Sequence, residues 1–289
     1  MVEKKKIGLA LGGGGAKGYA HSGIIKALEA AGIEIDYIAG TSMGALVGGY
    51  YAATKNIKKM EELALEIKRG DLFPIREVIK FKKDGALFRG QSVADILNHH
   101  LSGVKIENCQ IPFAAVTTDV RNGDEFAVKS GDLTTAIRAS IAVPAVFSPV
   151  EINGQYYMDG GLANPVPANI VRQMGADYVI AVDVSSKWMT APEELASVKD
   201  IYSIMSNALS IIEYQIAKGI LKDNADIVLR PPVLHYDWTD FDRAADIIKT
   251  GEKEIRLNLQ EIRRKTGHRA PRLTLAEKFF DFITGQPER

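Results

Sequence analysis

The sequence predicts an α/β protein, a three-layer α/β/α sandwich around a mainly parallel sheet. Three observations predict it. Ile7 to Leu11 and Tyr178 to Val182 are apolar runs without a polar face, as strands covered on both sides require. Such runs alternate with segments whose apolar residues recur at helical spacing. Glycine clusters stand where two of these strands pass into helices, at Gly12 to Gly18 and at Gly40 and Gly44. The 289 residues suit one large domain covering 1–289, with chemistry-bearing blocks in 7–185 and a helical part in 190–289.

Ile7 to Leu11 is the first strand, and Gly12-Gly13-Gly14-Gly15-Ala16-Lys17-Gly18 follows it. Tyr19 to Ala31 carries Ile24, Ile25, Leu28 and Ala31 on one side and stops at Gly32, so it reads as a helix. A glycine run between strand and helix turns tightly and aims several N–H groups at one spot. The spot suits a phosphate or the oxyanion of an acyl-transfer intermediate.

Ile35 to Ala39 is the second apolar run, and Gly40-Thr41-Ser42-Met43-Gly44 follows. This is a G-x-S-x-G element leading into an Ala/Gly-rich helix, Ala45 to Thr54. Glycines on both sides of a sharp turn remove the Cβ atoms that would clash there. The turn aims the Ser42 hydroxyl outward at a helix N-terminus, where N–H groups lack partners. The plainer reading is a tight turn in which Ser42 caps the helix.

Further along, Ile57 to Lys68 reads as an amphipathic helix, and Ser92 to Leu101 as a short one capped by Ser92. Between them, Asp71 to Gly90 mixes Leu72, Ile75, Val78 and Ile79 with Arg76, Lys80, Lys82 and Lys83. Pro112 to Thr118 is a buried strand. Asn122-Gly123 turns it into Glu125 to Lys129, with a type I′ turn expected. Asp132 to Ser140 is helical, and a second hairpin turns at Asn153-Gly154 and delivers Asp159-Gly160-Gly161. Asn164-Pro165 opens the next helix, with Asn164 as its cap. Tyr178 to Val182, a helical region from Leu195 to Leu221, a strand at Asp226 to Leu229 and a helix from Phe241 to Arg264 complete the body.

Composition excludes several classes. Lys+Arg and Asp+Glu both number 36, so no basic excess points to nucleic acid. One cysteine, Cys109, permits no internal disulfide and fits a reducing compartment. The N-terminal apolar run is too short for a signal peptide, and no stretch is long enough to span a bilayer. These features lead us to expect a cytoplasmic chain, with peripheral contact at the inner membrane surface through 71–90. An apolar face rimmed by lysines suits an anionic surface, and Leu275, Phe279, Phe282 and Ile283 form a second such stripe. The plainer reading is that both stripes pack on the body.

Gly13, Gly15 and Gly18 also match the dinucleotide-binding G-x-G-x-x-G, with Asp36 near the spacing of a ribose-binding acid. A ribose-binding acid belongs at the carboxyl end of the second strand. Asp36 stands near its start, and the carboxyl end carries Gly40-Thr41-Ser42. Lys17 is followed by Gly18, which excludes a P-loop.

A serine nucleophile needs a base. His235 and His268 have no distinctive setting, His99 and His100 point to different faces of one helix, and His21 lies inside the first helix. Asp159, flanked by two glycines, is the better candidate, although Asp-Gly also suits a plain turn.

Together these blocks resemble the patatin-like phospholipases, a family of lipid acyl hydrolases. The resemblance rests on Gly13-Gly14-Gly15-Ala16-Lys17-Gly18, Gly40-Thr41-Ser42-Met43-Gly44, Ala139-Ser140 with Pro144 and Phe147, and Asp159-Gly160-Gly161. It implies Ser42 and Asp159 as a catalytic dyad and an oxyanion loop at Gly13, Gly14 and Gly15. No histidine, metal or other cofactor is implied. Lipid or another acyl ester is the implied substrate. Lys17 is either a contact for an anionic head group or a solvated lysine. A dinucleotide-binding oxidoreductase and a catalytically idle patatin-like regulator remain the alternatives.

Overall fold

Ile7–Leu11 forms β1, which is buried along its whole length and paired with a strand on each edge. On one side it pairs in parallel with β2 (Tyr37–Thr41), which pairs in parallel with β3 (Phe113–Asp119). On the other it pairs with β7 (Tyr178–Val182), and β7 with β8 (Ile227–Leu229). The chain reverses beyond β3. Strands β4 (Glu125–Val128) and β6 (Gln155–Asp159) run antiparallel to it, and β5 (Val150–Ile152) runs antiparallel to β6. The order is β5-β6-β3-β2-β1-β7-β8, with β4 beside β3. The structure is a computed structural model that describes residues 4–66, 91–185 and 201–268.

Alternation along the strands builds two apolar layers. Ile7, Leu9, Leu11, Ile38, Phe113, Ile180 and Val182 face one way, into the larger layer. There they meet α1 (Ala20–Ala30), α2 (Met43–Thr54), α3 (Ile57–Glu66), α4 (Gln91–Leu101), α5 (Leu133–Ser140) and α8 (Ala244–Thr266). The opposite face is lined by small residues, among them Ala10, Ala39, Ala114 and Ala181. That lets α6 (Ala168–Gln173) and α7 (Ile201–Asn224) lie close against it through Ile170, Val171, Ala217 and Leu221. The architecture is the mainly parallel, layered α/β fold expected.

Several boundaries differ from the expectation. β2 begins at Tyr37 rather than Ile35, because Asp36 closes the strand's entry: its N–H donates to the Ile7 carbonyl and its Oδ2 accepts the Ile7 N–H at 2.7 Å. A 3-10 turn, Gly15–Tyr19, precedes α1. The type I′ geometry falls at Asn153-Gly154, where φ is 53° and 79°, and not at Asn122-Gly123, where only Gly123 is positive. Asn164 does not cap α6. Its side-chain amide donates to Glu125 and Asn169, and the helix starts at Ala168 after Pro167. Ser92 lies inside α4, which is already formed at Gln91. The basic segment 71–90 and the stripe from Leu275 to Ile283 lie outside the described residues.

Candidate active site

The carboxyl ends of β1, β2 and β7 open on one edge of the sheet, the usual place for a ligand crevice in such folds. Ser42 stands at the carboxyl end of β2 with φ 52° and ψ −121°. A non-glycine residue with that backbone is strained, which fits a hydroxyl forced out of a sharp turn. Its neighbours must therefore be bare. A Cβ on Gly40 would strike the backbone of Gly44, and one on Gly44 would strike the Leu11 carbonyl. The Ser42 side chain forms no helix cap, so its hydroxyl is not absorbed by α2. The capping alternative is thereby corrected.

Asp159 reaches the same edge by register. β6 stops with Asp159 opposite Thr117 of β3, while Thr41, the residue before Ser42, lies opposite Val116. The chain reversal at β6 thus brings a carboxylate beside a hydroxyl that is 117 positions away in sequence. Asp159 caps a short 3-10 turn, Gly160–Leu162, and its Oδ1 accepts the Gly161 N–H at 2.8 Å. Its Oδ2 is buried and has no well-formed hydrogen bond. The Ser42 hydroxyl is close enough to act on the carboxyl. Burial pushes Asp159 up to about 6, against the opposing pull of the Gly161 N–H and the Ser42 hydroxyl. A carboxylate of ordinary acidity is a weak base, and one near 6 is better matched to accepting a proton at neutral pH.

The glycine loop faces this pair, and a Cβ on Gly13 would come within 3.3 Å of the Ser42 Cβ. Its N–H groups are not equivalent. Gly12 donates to the Val182 carbonyl, Gly13 to the Pro165 carbonyl at 3.0 Å, and Ala16 to the Trp238 carbonyl at 2.8 Å. Among the described residues, Gly14 and Gly15 have no backbone acceptor. Gly13 therefore braces the loop and is not a free donor, which corrects its place in the expected trio. The Ser42 N–H is also committed, to Ser140 Oγ.

Among the described residues, no histidine hydrogen-bonds to Asp159. His21 is fully buried, its Nε2 lies 2.8 Å from the Gly12 carbonyl, and burial pushes it down to about 4. It holds the loop as a neutral ring. His235 packs on Tyr236, and His268 Nδ1 meets Thr266 Oγ1 at 3.0 Å. Asp36 lies at the opposite, amino edge of the sheet, bonded to Ile7, so it is far from any ligand on the glycine loop. This removes the ribose contact the dinucleotide reading requires. No cluster of three metal-ligating side chains occurs among the described residues. Nor is any of their helices long and apolar enough to cross a membrane.

Family profiles agree with the geometry. The patatin-like phospholipase profile matches residues 9–172, more than half of the chain. The chain belongs to the patatin-like phospholipase family. An uncharacterised NTE family protein of Mycobacterium bovis is 39% identical over 181 residues, covering 62% of this chain and 49% of that protein. Human patatin-like phospholipase domain-containing protein 6 is 34% identical over 184 residues, covering 63% of this chain and 13% of that protein. The chain thus spans about half the length of the mycobacterial relative and a small part of the human one. The crystal structure of VipD from Legionella pneumophila shares the fold, with a TM-score of 0.51, 16% identity and coverage of 90% of this chain and 67% of that one.

Within this patatin-like frame the C-terminal third contributes residues that sequence reasoning missed. Trp238 lays its backbone over the glycine loop through Ala16. Glu213, on α7, brings its carboxyl to Gly161. It is the only acid between Ile201 and Lys222, in a largely apolar stretch of helix, and that was the available signal. Lys17 is half-buried, and its charge acts on Glu213.

Proposed function

We propose that the protein is a serine lipid acyl hydrolase that cleaves carboxylic ester bonds through a Ser42–Asp159 dyad and an acyl-serine intermediate. One observation carries the reading: the strained Ser42 stands beside a buried carboxylate whose Oδ2 lacks any other partner. Membership of the patatin-like phospholipase family supports a lipid ester as substrate.

The proton of Ser42 Oγ passes to Asp159 as Oγ bonds to the ester carbon. The carbonyl electron pair moves onto oxygen, and the Gly14 and Gly15 N–H groups receive that charge. Collapse of the intermediate expels the alcohol or lysolipid, which takes the proton from Asp159. Water then attacks the acyl-serine, gives its proton to Asp159, and releases the fatty acid as Ser42 regains a proton. Every transfer uses side chains and backbone of this chain.

Labelling with a fluorophosphonate probe tests the reading. Mass spectrometry should find the adduct on Ser42, and Ser42→Ala should lose both labelling and ester hydrolysis with its fold intact. An adduct on another serine, or an active Ser42→Ala enzyme, would overturn it. A catalytically idle regulator would take no label at all.

A further inference from the structure

Gly161 separates two carboxyl groups. A Cβ at this position would lie 2.8 Å from Glu213 Oε1 and 3.1 Å from Asp159 Oδ1. Both acids therefore crowd one point, and glycine is needed there because a side chain would enter the space between them. Asp159 Oδ1 is already held by the Gly161 N–H, so Glu213 stands on that side of the carboxyl and leaves Oδ2 to Ser42.

The surroundings of Glu213 are charged on three elements. The Asp159 carboxylate faces it from the end of β6, and Asp183 from the end of β7. Lys17 faces it from the glycine loop. Asp183 is itself paired with Arg230 at 3.5 Å. Arg172 of α6, which packs on the same helix, is occupied near its far end by Asp226 and the Asn224 carbonyl. Burial and the two aspartates push Glu213 up to about 7, and Lys17 pulls the other way. The two carboxyls are therefore coupled, and whichever ionises second does so beside a charge already formed.

An anion on that side has a definite effect on the chemistry. As Ser42 attacks, negative charge leaves Asp159 and gathers on the substrate oxygen. A second carboxylate beside Asp159 repels the charge that is leaving and so favours the proton's arrival. We propose that Glu213 is a positioning residue of the dyad: its ionised carboxylate, seated across Gly161, strengthens Asp159 as the base that takes the Ser42 proton. The proposal rests on the dyad reading above and adds to it a role for the C-terminal third of the chain.

The test is the pH profile of kcat/KM for a short soluble ester, measured on the full chain from pH 5 to 9. The native enzyme should rise in two steps that belong to the coupled Asp159–Glu213 pair. Glu213→Gln keeps the shape and removes the charge. It should lose the upper step only, matching the native enzyme below pH 6 and falling about three- to tenfold behind at pH 8.5. Glu213→Asp should recover part of the upper step. A Glu213→Gln profile that superimposes on the native one overturns the proposal. So does a loss by one constant factor at every pH, which a structural role would give. Fluorophosphonate labelling of the same proteins separates the two ideas. If Ser42 is labelled while the upper step survives in Glu213→Gln, only the role of Glu213 falls. If Ser42 takes no label, the dyad reading falls and this proposal with it.

Discussion

The backbone N–H of Ser42 donates to Ser140 Oγ at 3.0 Å, and Ser140 donates its own hydroxyl to the Val116 carbonyl at 2.6 Å. One buried hydroxyl therefore ties the strained turn to β3, the strand that carries Asp159 on its other side. The last residue of α5 holds the elbow at a backbone geometry it would not otherwise keep.

Ser140→Ala removes both bonds. It should cost about 1–3 kcal/mol in denaturant unfolding, because a buried N–H and a buried carbonyl lose their partner. The rate of fluorophosphonate labelling at Ser42 should fall about 10- to 100-fold as the hydroxyl loses its aim. A native labelling rate in a destabilised variant would show that the elbow holds its geometry without Ser140.

Asp159→Asn should lose activity by about 10⁴-fold, the scale seen when a triad aspartate is neutralised. It should also gain stability, and mostly on one side of the pH scale. The folded carboxyl is raised to about 6, above its unfolded value, so the native protein binds the proton more tightly than the unfolded chain. Its stability contribution is fully present below about pH 4 and is lost as pH rises through 6, a loss of about 3 kcal/mol. Urea unfolding at pH 4.5 and pH 8 should show the variant gaining on the native protein by about 2 kcal/mol more at pH 8. An equal difference at both pH values would refute the burial argument.

No histidine should be essential to the chemical step. His235→Ala and His268→Ala should label at Ser42 as the native protein does, since neither ring is among the hydrogen-bond partners of Asp159. His21→Phe should lose about 1–3 kcal/mol with the Gly12 bond, yet still label. Its pH dependence has a sign. The folded ring sits near 4, below its unfolded value, so His21 stabilises the native protein above about pH 6.5 and loses that contribution as pH falls towards 4. Between pH 7 and 4.5 the variant should therefore lose less stability than the native protein. A dead, folded His235→Ala or His268→Ala enzyme would point to a triad instead.

The helix α8 should prove integral to the fold. Gly23 of α1 and Gly251 of α8 cross so closely that a Cβ on either would strike the other helix's backbone, at Ile248 and Ala20 respectively. Gly251→Val should therefore cost about 1–3 kcal/mol or more through overpacking, while Gly219→Val, at an open position on α7, should cost less. Equal effects in thermal unfolding would argue that the crossing is loose.

The sequence by itself determined the architecture and pointed to the two groups proposed to react. Short apolar runs with no polar face suit strands buried on both sides, and Ile7 to Leu11 and Tyr178 to Val182 are adjacent in the sheet. Glycines that must stay bare announced the elbow at Ser42, because the steric demand is local and therefore written locally. Tertiary structure decided what depends on distant backbone. Gly13 looked equal to Gly14 and Gly15, and only the Pro165 carbonyl, more than 150 positions away, distinguishes it. Asn164 read as a helix cap because local preference favours it there, but Glu125 and Asn169 claim its amide. Glu213 carries no motif, since a carboxylate acquires its role from the charges around it. Those charges, on Asp159, Lys17 and Asp183, come from three separate elements that only the packed sheet brings together.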